Sequence, residues 1–179
     1  MPVTPFHLGA GVLLKAAAPT RVSWVGFALA NVVIDVEPAL NLVREGDPAH
    51  RAMHTLPGAT LAAAACVALL RRPGEWALGR WNRWLSPAQA RWLGVGATLP
   101  RGPFASGALL GAWSHVGLDA LMHFDVAPLA PWRPGNPLLD RLDVMHLHAL
   151  CLAATALGLV GLLLRRAYAL RREAMTKAG

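Results

Sequence analysis

Apolar residues along this chain gather into five runs, separated by connections rich in proline, arginine or other polar residues. A helix that spans a bilayer needs roughly 20 largely apolar residues, somewhat fewer where polar ends reach for the interface. Read in windows of that size, the pattern predicts membrane-embedded helices over Phe6–Ala18, Val22–Leu40, His50–Leu70, Phe104–His123 and Leu147–Leu164. Pro19 parts the first two, and Pro57 lies near the start of the third, where a missing backbone donor is best tolerated. The expected fold is all-α: one integral-membrane helical bundle of about five membrane-embedded helices over residues 1–179, without internal repeats.

The polar positions inside these runs are not scattered. His7 opens the first, Asp35 and Glu37 close the second, and His50 and His54 open the third. His115, Asp119 and His123 close the fourth, while His146 and His148 open the fifth. If successive helices alternate in direction, all of these groups lie at one end of the bundle. The other ends hold 13 of the 17 Lys and Arg residues, with only Glu75 and Glu173 against them. The positive-inside rule then places the basic ends and the C-terminus in the cytoplasm, and the histidine cluster at the outer leaflet with the N-terminus outside.

Composition agrees: 55% of residues are apolar, 15% are charged and the mean hydropathy is +0.40. So little charge excludes a disordered chain, and two cysteines within apolar runs exclude a disulfide-stapled domain. The first cation, Lys15, follows the first apolar run, so no cleavable signal peptide is expected. A net charge of +7 invites a nucleic-acid reading. The cations instead flank apolar segments, and residues 72–101 interleave Trp76, Trp81, Trp84 and Trp92 with Arg80, Arg83 and Arg91. That pattern reads as an interfacial connection facing anionic lipids at the cytoplasmic surface, with no nucleic-acid partner.

Ionisable groups at one depth in a membrane call for a polar cavity, a proton path or a metal. His50 and His54 form H-x-x-x-H, and His115 and Asp119 form H-x-x-x-D, which on a helix puts each pair on one face at a spacing that suits chelation. Gly107, Gly111, His115, Asp119 and His123 continue one stripe, with small residues permitting close helix contact below the polar cluster. Imidazole with carboxylate is a ligand set for zinc, and an incomplete coordination sphere leaves room for a water nucleophile. Asp35 and Glu37 are two apart, so only one can point squarely inward. His50, His123, Asp125 and His146 are candidates to orient a ligand or to line a solvated rim, and Arg51 is placed either to hold a loop carboxylate or to clamp a phosphoryl oxygen. The chain has no P-loop, H-E-x-x-H or C-x-x-C motif, and Ser114 beside His115 is poor geometry for a nucleophile and its base. A non-enzymatic carrier of a metal or proton is the main alternative; a haem carrier fits less well with so many carboxylates.

Four segments resemble, together, the bacterial membrane-bound metal-dependent hydrolase family: T-P-F-H-L-G at Thr4–Gly9, N-V-V-I-D-V-E-P at Asn31–Pro38, H-R-A-M-H-T at His50–Thr55 and G-A-W-S-H-V-G-L-D-A at Gly111–Ala120. The stretch Asp125–Trp132 extends the resemblance over most of the chain, and the order of ligands is distantly similar to zinc-dependent phospholipase C. The resemblance implies phosphoester hydrolysis in a bacterial inner membrane, with one to three divalent ions, zinc foremost, acting on a lipid or lipid-linked substrate. It implies His7, His54, His115 and Asp119 as metal ligands, Asp35 as a ligand or base, and His148 as a further ligand; the H-x-x-x-H spacing adds His50. Asp35, Glu37 and Arg51 are the expected catalytic residues. The family often shows D-x-D where this chain has Asp35 and Glu37, and its paired histidines lie one residue further apart.

Overall fold

The computed structural model describes residues 6–44 and 50–178. Thr4 and Pro5 of the first motif lie outside the described residues. The helices are α1 (Leu8–Ala17), α2 (Trp24–Val43), α3 (Leu56–Leu69), α4 (Arg71–Trp84), α5 (Pro87–Leu93), α6 (Arg101–Ala120) and α7 (Val144–Ala178), with a 3₁₀ turn at Ala52–His54. There is no strand among the described residues, as the all-α expectation requires.

Among the described residues, two helices, Trp24–Val43 and Val144–Thr176, are long and apolar enough to cross a membrane. The other three expected spans fall short of that measure. Helix α1 has 10 residues and α3 has 14, or about 15 and 21 Å at 1.5 Å per residue, against a hydrocarbon core of about 30 Å. Helix α6 has 20 residues but carries Arg101, Ser106, Ser114, His115, Asp119 and several glycines. Capping chemistry explains the shorter α3: Thr55 Oγ1 accepts the Gly58 N–H at 3.0 Å, so the helix starts after His54 rather than at His50. Helix α7 instead runs well past Leu164, through a segment rich in Arg, Ala, Leu and Lys, all strong helix formers.

Helix α6 packs between α2 and α3, while α1 lies against α7 and α2. Phe27, Ile34, Phe104 and Val116 are fully buried in this core. The α2–α6 contact is a backbone contact, since a Cβ on Gly111 would lie 2.5 Å from the Phe27 carbonyl oxygen, and one on Gly107 would strike the Ser23 carbonyl. Only glycine permits that approach. The register 23 with 107 and 27 with 111 makes the two helices parallel, and one turn further it sets Asn31 against His115.

The expected 72–101 connection is a helical hairpin. Glu75 Oε1 accepts the Leu99 N–H at 2.9 Å and Arg71 Nη1 at 2.6 Å. Asn82 brackets Val95 through both of its backbone polar groups, at 2.6 and 3.1 Å. At the opposite end, the long α6–α7 connection folds back over the bundle. There Asn136 Nδ2 donates to the carbonyls of Ala120 at 2.7 Å and His123 at 2.9 Å, satisfying acceptors that the end of α6 leaves open.

Candidate metal centre

The helix directions deliver the polar residues to one place. His7 precedes the first turn of α1, Asp35 lies on α2, His50 and His54 precede α3, and His115 and Asp119 occupy the last turns of α6. Among the described residues, four overlapping trios have ligand atoms within 4.8 Å of one another: His7, His115 and Asp119; Asp35, His54 and His115; His50, His54 and Asp119; and His50, His123 and Asp125. These groups could hold a metal ion.

Asp119, almost fully buried, is the hub. Its Oδ1 lies 3.4 Å from His7 Nε2, and its Oδ2 lies 3.3 Å from His54 Nε2 and 3.1 Å from His115 Nε2. His115 Nε2 is also 3.2 Å from Asp35 Oδ1. Yet the Nε2 atoms of His7, His54 and His115 are buried and without a hydrogen-bond partner. Ligands about 2.0–2.2 Å from a tetrahedral ion lie roughly 3.3–3.6 Å apart. The observed 3.1–3.4 Å spacings from the two Asp119 oxygens to these nitrogens lie at or just below that range. Each orphaned nitrogen would otherwise cost about 1–3 kcal/mol in unmet hydrogen bonding, so the donor set fits a cation between these atoms.

The far side of three imidazoles is occupied, which fixes where their lone pairs point. His115 Nδ1 lies 3.0 Å from Asn31 Oδ1, and the Asn31 amide is oriented by donating from Nδ2 to the Phe27 carbonyl at 2.9 Å. Asn31 therefore offers an acceptor to the Nδ1 proton of His115, and in the neutral imidazole Nε2 is then an inward lone pair. His54 Nδ1 faces Glu37 Oε2 at 3.4 Å. His50 Nδ1 faces Asp125 at 2.9 Å. Outer partners of this kind hold a ligand's tautomer and ring orientation, and losing one costs about 10–100-fold in metal affinity. Asn31→Leu is accordingly expected to weaken metal binding by about 10–100-fold with helicity retained, as read by chelator competition and circular dichroism.

The structure separates the expected site residues. His7, Asp35, His50, His54, His115 and Asp119 come together. Glu37 sits behind His54, its Oε2 also accepting the backbone N–H groups of Arg51 and Met53, each at 3.0 Å. Arg51 is exposed, and His148 stacks on Phe6 at 4.6 Å between ring centroids, outside every trio. His146 is 77% exposed and pairs with Asp143 at 3.2 Å. His123 stacks on His50 at 4.6 Å, with its Nε2 4.0 Å from Asp119 Oδ1. Asn31 was not among the expected site residues; its spacing of four from Asp35, which puts both on one helix face, was the available signal.

Burial would raise the Asp125 pKa, but the backbone N–H of His50 and its imidazole outweigh that and hold the carboxyl below its ordinary range. A depressed acid adds stability above its unfolded pKa, and that stability is lost as pH falls through the lower folded value. The clasp between Asp125 and His50 should therefore persist through the ordinary aspartate midpoint near pH 3.9 and open only below it. Hydrogen exchange at the His50 amide, followed from pH 6 downward, checks this; loss of protection above about pH 4 would contradict it.

Comparison with family models, with curated proteins and with solved structures finds no match for this chain. Its described residues form an all-helical fold with two helices of membrane-crossing length and a buried His/Asp cluster able to hold a metal ion.

Proposed function

We propose that this chain is a membrane-bound metal-dependent hydrolase that cleaves a phosphoester of a lipid or lipid-linked substrate, with the cluster near the outer leaflet of a bacterial inner membrane and the C-terminus in the cytoplasm. The observation that carries the reading is the set of inward, unbonded Nε2 atoms around Asp119, backed at His54 and His115 by Glu37 and Asn31. The opposed charge of the two bundle ends supports the orientation, and the resemblance in four motifs supports the reaction class. An open apolar depression lined by Leu56, Pro57, Thr60, Leu61 and Trp132 begins two residues from His54, and in this reading an acyl chain lies against it.

His7, His54, His115 and Asp119, with Asp35 at the edge and His50 beside them, would hold one to three ions, zinc by the chemistry of the donors. A divalent ion held there supplies Lewis acidity, polarising a phosphoryl oxygen and lowering the pKa of water from about 15.7 toward roughly 7. Asp35, whose side chain is 33% exposed, is the most accessible carboxylate of the inner set and takes the proton from the attacking water. Glu37 keeps His54 aligned, and Arg51, on the loop beside His54, offsets charge developing on the phosphoryl group. The burial around the cluster keeps bulk water from the reacting atoms.

A second reading, an intramembrane carrier of a metal or proton, draws support from the complete burial of His54 and His115. The deciding experiment reconstitutes the protein with zinc in phospholipid vesicles and follows release of phosphorylated headgroups beside ion flux. Chelator-sensitive release without flux is the expected result; flux without release would replace hydrolysis by transport.

A further inference from the structure

The hairpin α4–α5 buries little of its own surface. Gly74 and Leu78 turn inward toward Leu99, Val25 and Leu29, which leaves the other face of α4 to solvent. That face carries Trp76, Arg80, Arg83 and Trp84, all exposed, and α5 adds Arg91 and Trp92, also exposed. The Arg80 guanidinium lies 5.3 Å from the Trp84 ring centroid, so cation and indole form one surface. Glu75, the acid of this region, is occupied by Arg71 and the Leu99 amide. The exposed face is thus basic and aromatic.

Its depth is fixed by α7. The apolar stretch 147–164 is about 27 Å long at 1.5 Å per residue, close to the hydrocarbon thickness, and ends at Arg165 and Arg166. Arg166 Nε donates to the Arg91 carbonyl at 2.7 Å, so the hairpin is bonded to α7 where the helix stops being apolar. The metal cluster lies at the far end, across the length of α3 and α6. Indoles prefer the headgroup layer and arginines its anionic lipids. We infer that the Trp76–Arg80–Trp84 face of α4, with Arg91 and Trp92 of α5, is a docking surface for an anionic lipid layer, holding the hairpin flat on the membrane. This stands apart from the metal chemistry at the other end.

The test places the full chain in nanodiscs of neutral phosphatidylcholine, or of the same lipid with phosphatidylglycerol, and compares amide exchange over 76–93. The expected result is exchange slower by on the order of tenfold in the anionic discs. That gain should vanish at high salt and in the triple variant Arg80→Gln, Arg83→Gln, Arg91→Gln, whose Arg91 carbonyl bond to α7 is unaltered. Equal exchange in both lipids would overturn the proposal, as would protection by a single-stranded RNA oligonucleotide but not by anionic lipid. Unchanged exchange over 101–120 in the variant shows that the bundle itself is intact.

Discussion

Asp119→Ala is expected to empty the centre. Three imidazole nitrogens lie 3.1–3.4 Å from this one carboxylate, and its negative charge offsets that of a cation which the neutral histidines cannot balance alone. Losing an outer partner costs about 10–100-fold in metal affinity; losing the shared anionic ligand should cost more than about 100-fold, so that protein purified in detergent carries essentially no zinc. If the proposed hydrolysis depends on the ion, turnover falls by at least about 10³-fold, the equivalent of several kcal/mol of transition-state stabilisation. Elemental analysis beside wild type and His115→Ala is the measurement. Equal metal in all three would remove these residues as ligands. Asp119→Asn separates charge from shape: it keeps an oxygen acceptor of the same size, so a loss of metal there, with helicity retained, assigns the effect to the carboxylate.

On the proposed metal reading, removing the ion from wild type should destabilise the whole bundle, because the centre ties together α1, α2, α3 and α6. A ligand that binds only the folded state contributes about 4.1 kcal/mol at 1,000 times its dissociation constant. For a chain of this size that corresponds to roughly 10 °C in the unfolding midpoint. Without the ion, the Nε2 atoms of His7, His54 and His115 remain buried without partners. The expected outcome is a chelator-induced fall of that size, reversed by added zinc and absent in Asp119→Ala. A midpoint indifferent to chelator in wild type would mean that the cluster is held by ordinary ion pairs, with His115 and Asp119 as a buried pair.

The spacing of four between His115 and Asp119, and the glycines one and two turns below, were legible in the sequence because a helix turns by a fixed angle per residue. The same regularity, with alternating helix directions, puts His7, Asp35, His54 and Asp119 at one end. Helix lengths were less legible. Residues 50–55 look like the start of an apolar helix, but the Thr55 cap and the bonds from the Arg51 and Met53 amides to Glu37 turn them into a loop that aims His54 inward. Glu37 is two residues from Asp35, and sequence periodicity could not tell that it reaches a backbone segment 14 to 16 residues away.

The sequence by itself determined that this protein is helical, that most of its cations lie at the ends opposite its histidines, and which helix face carries each polar pair, since these follow from local periodicity and charge. Only the tertiary structure decided which nitrogen of each imidazole faces the centre. Asn31 claims one side of His115 through an α2–α6 approach that Gly107 and Gly111 allow, and Asp125 claims one side of His50 from a loop 75 residues away. A hydrogen bond needs two groups within about 3 Å and in line, a condition set by packing between distant segments and invisible in the order of residues along the chain.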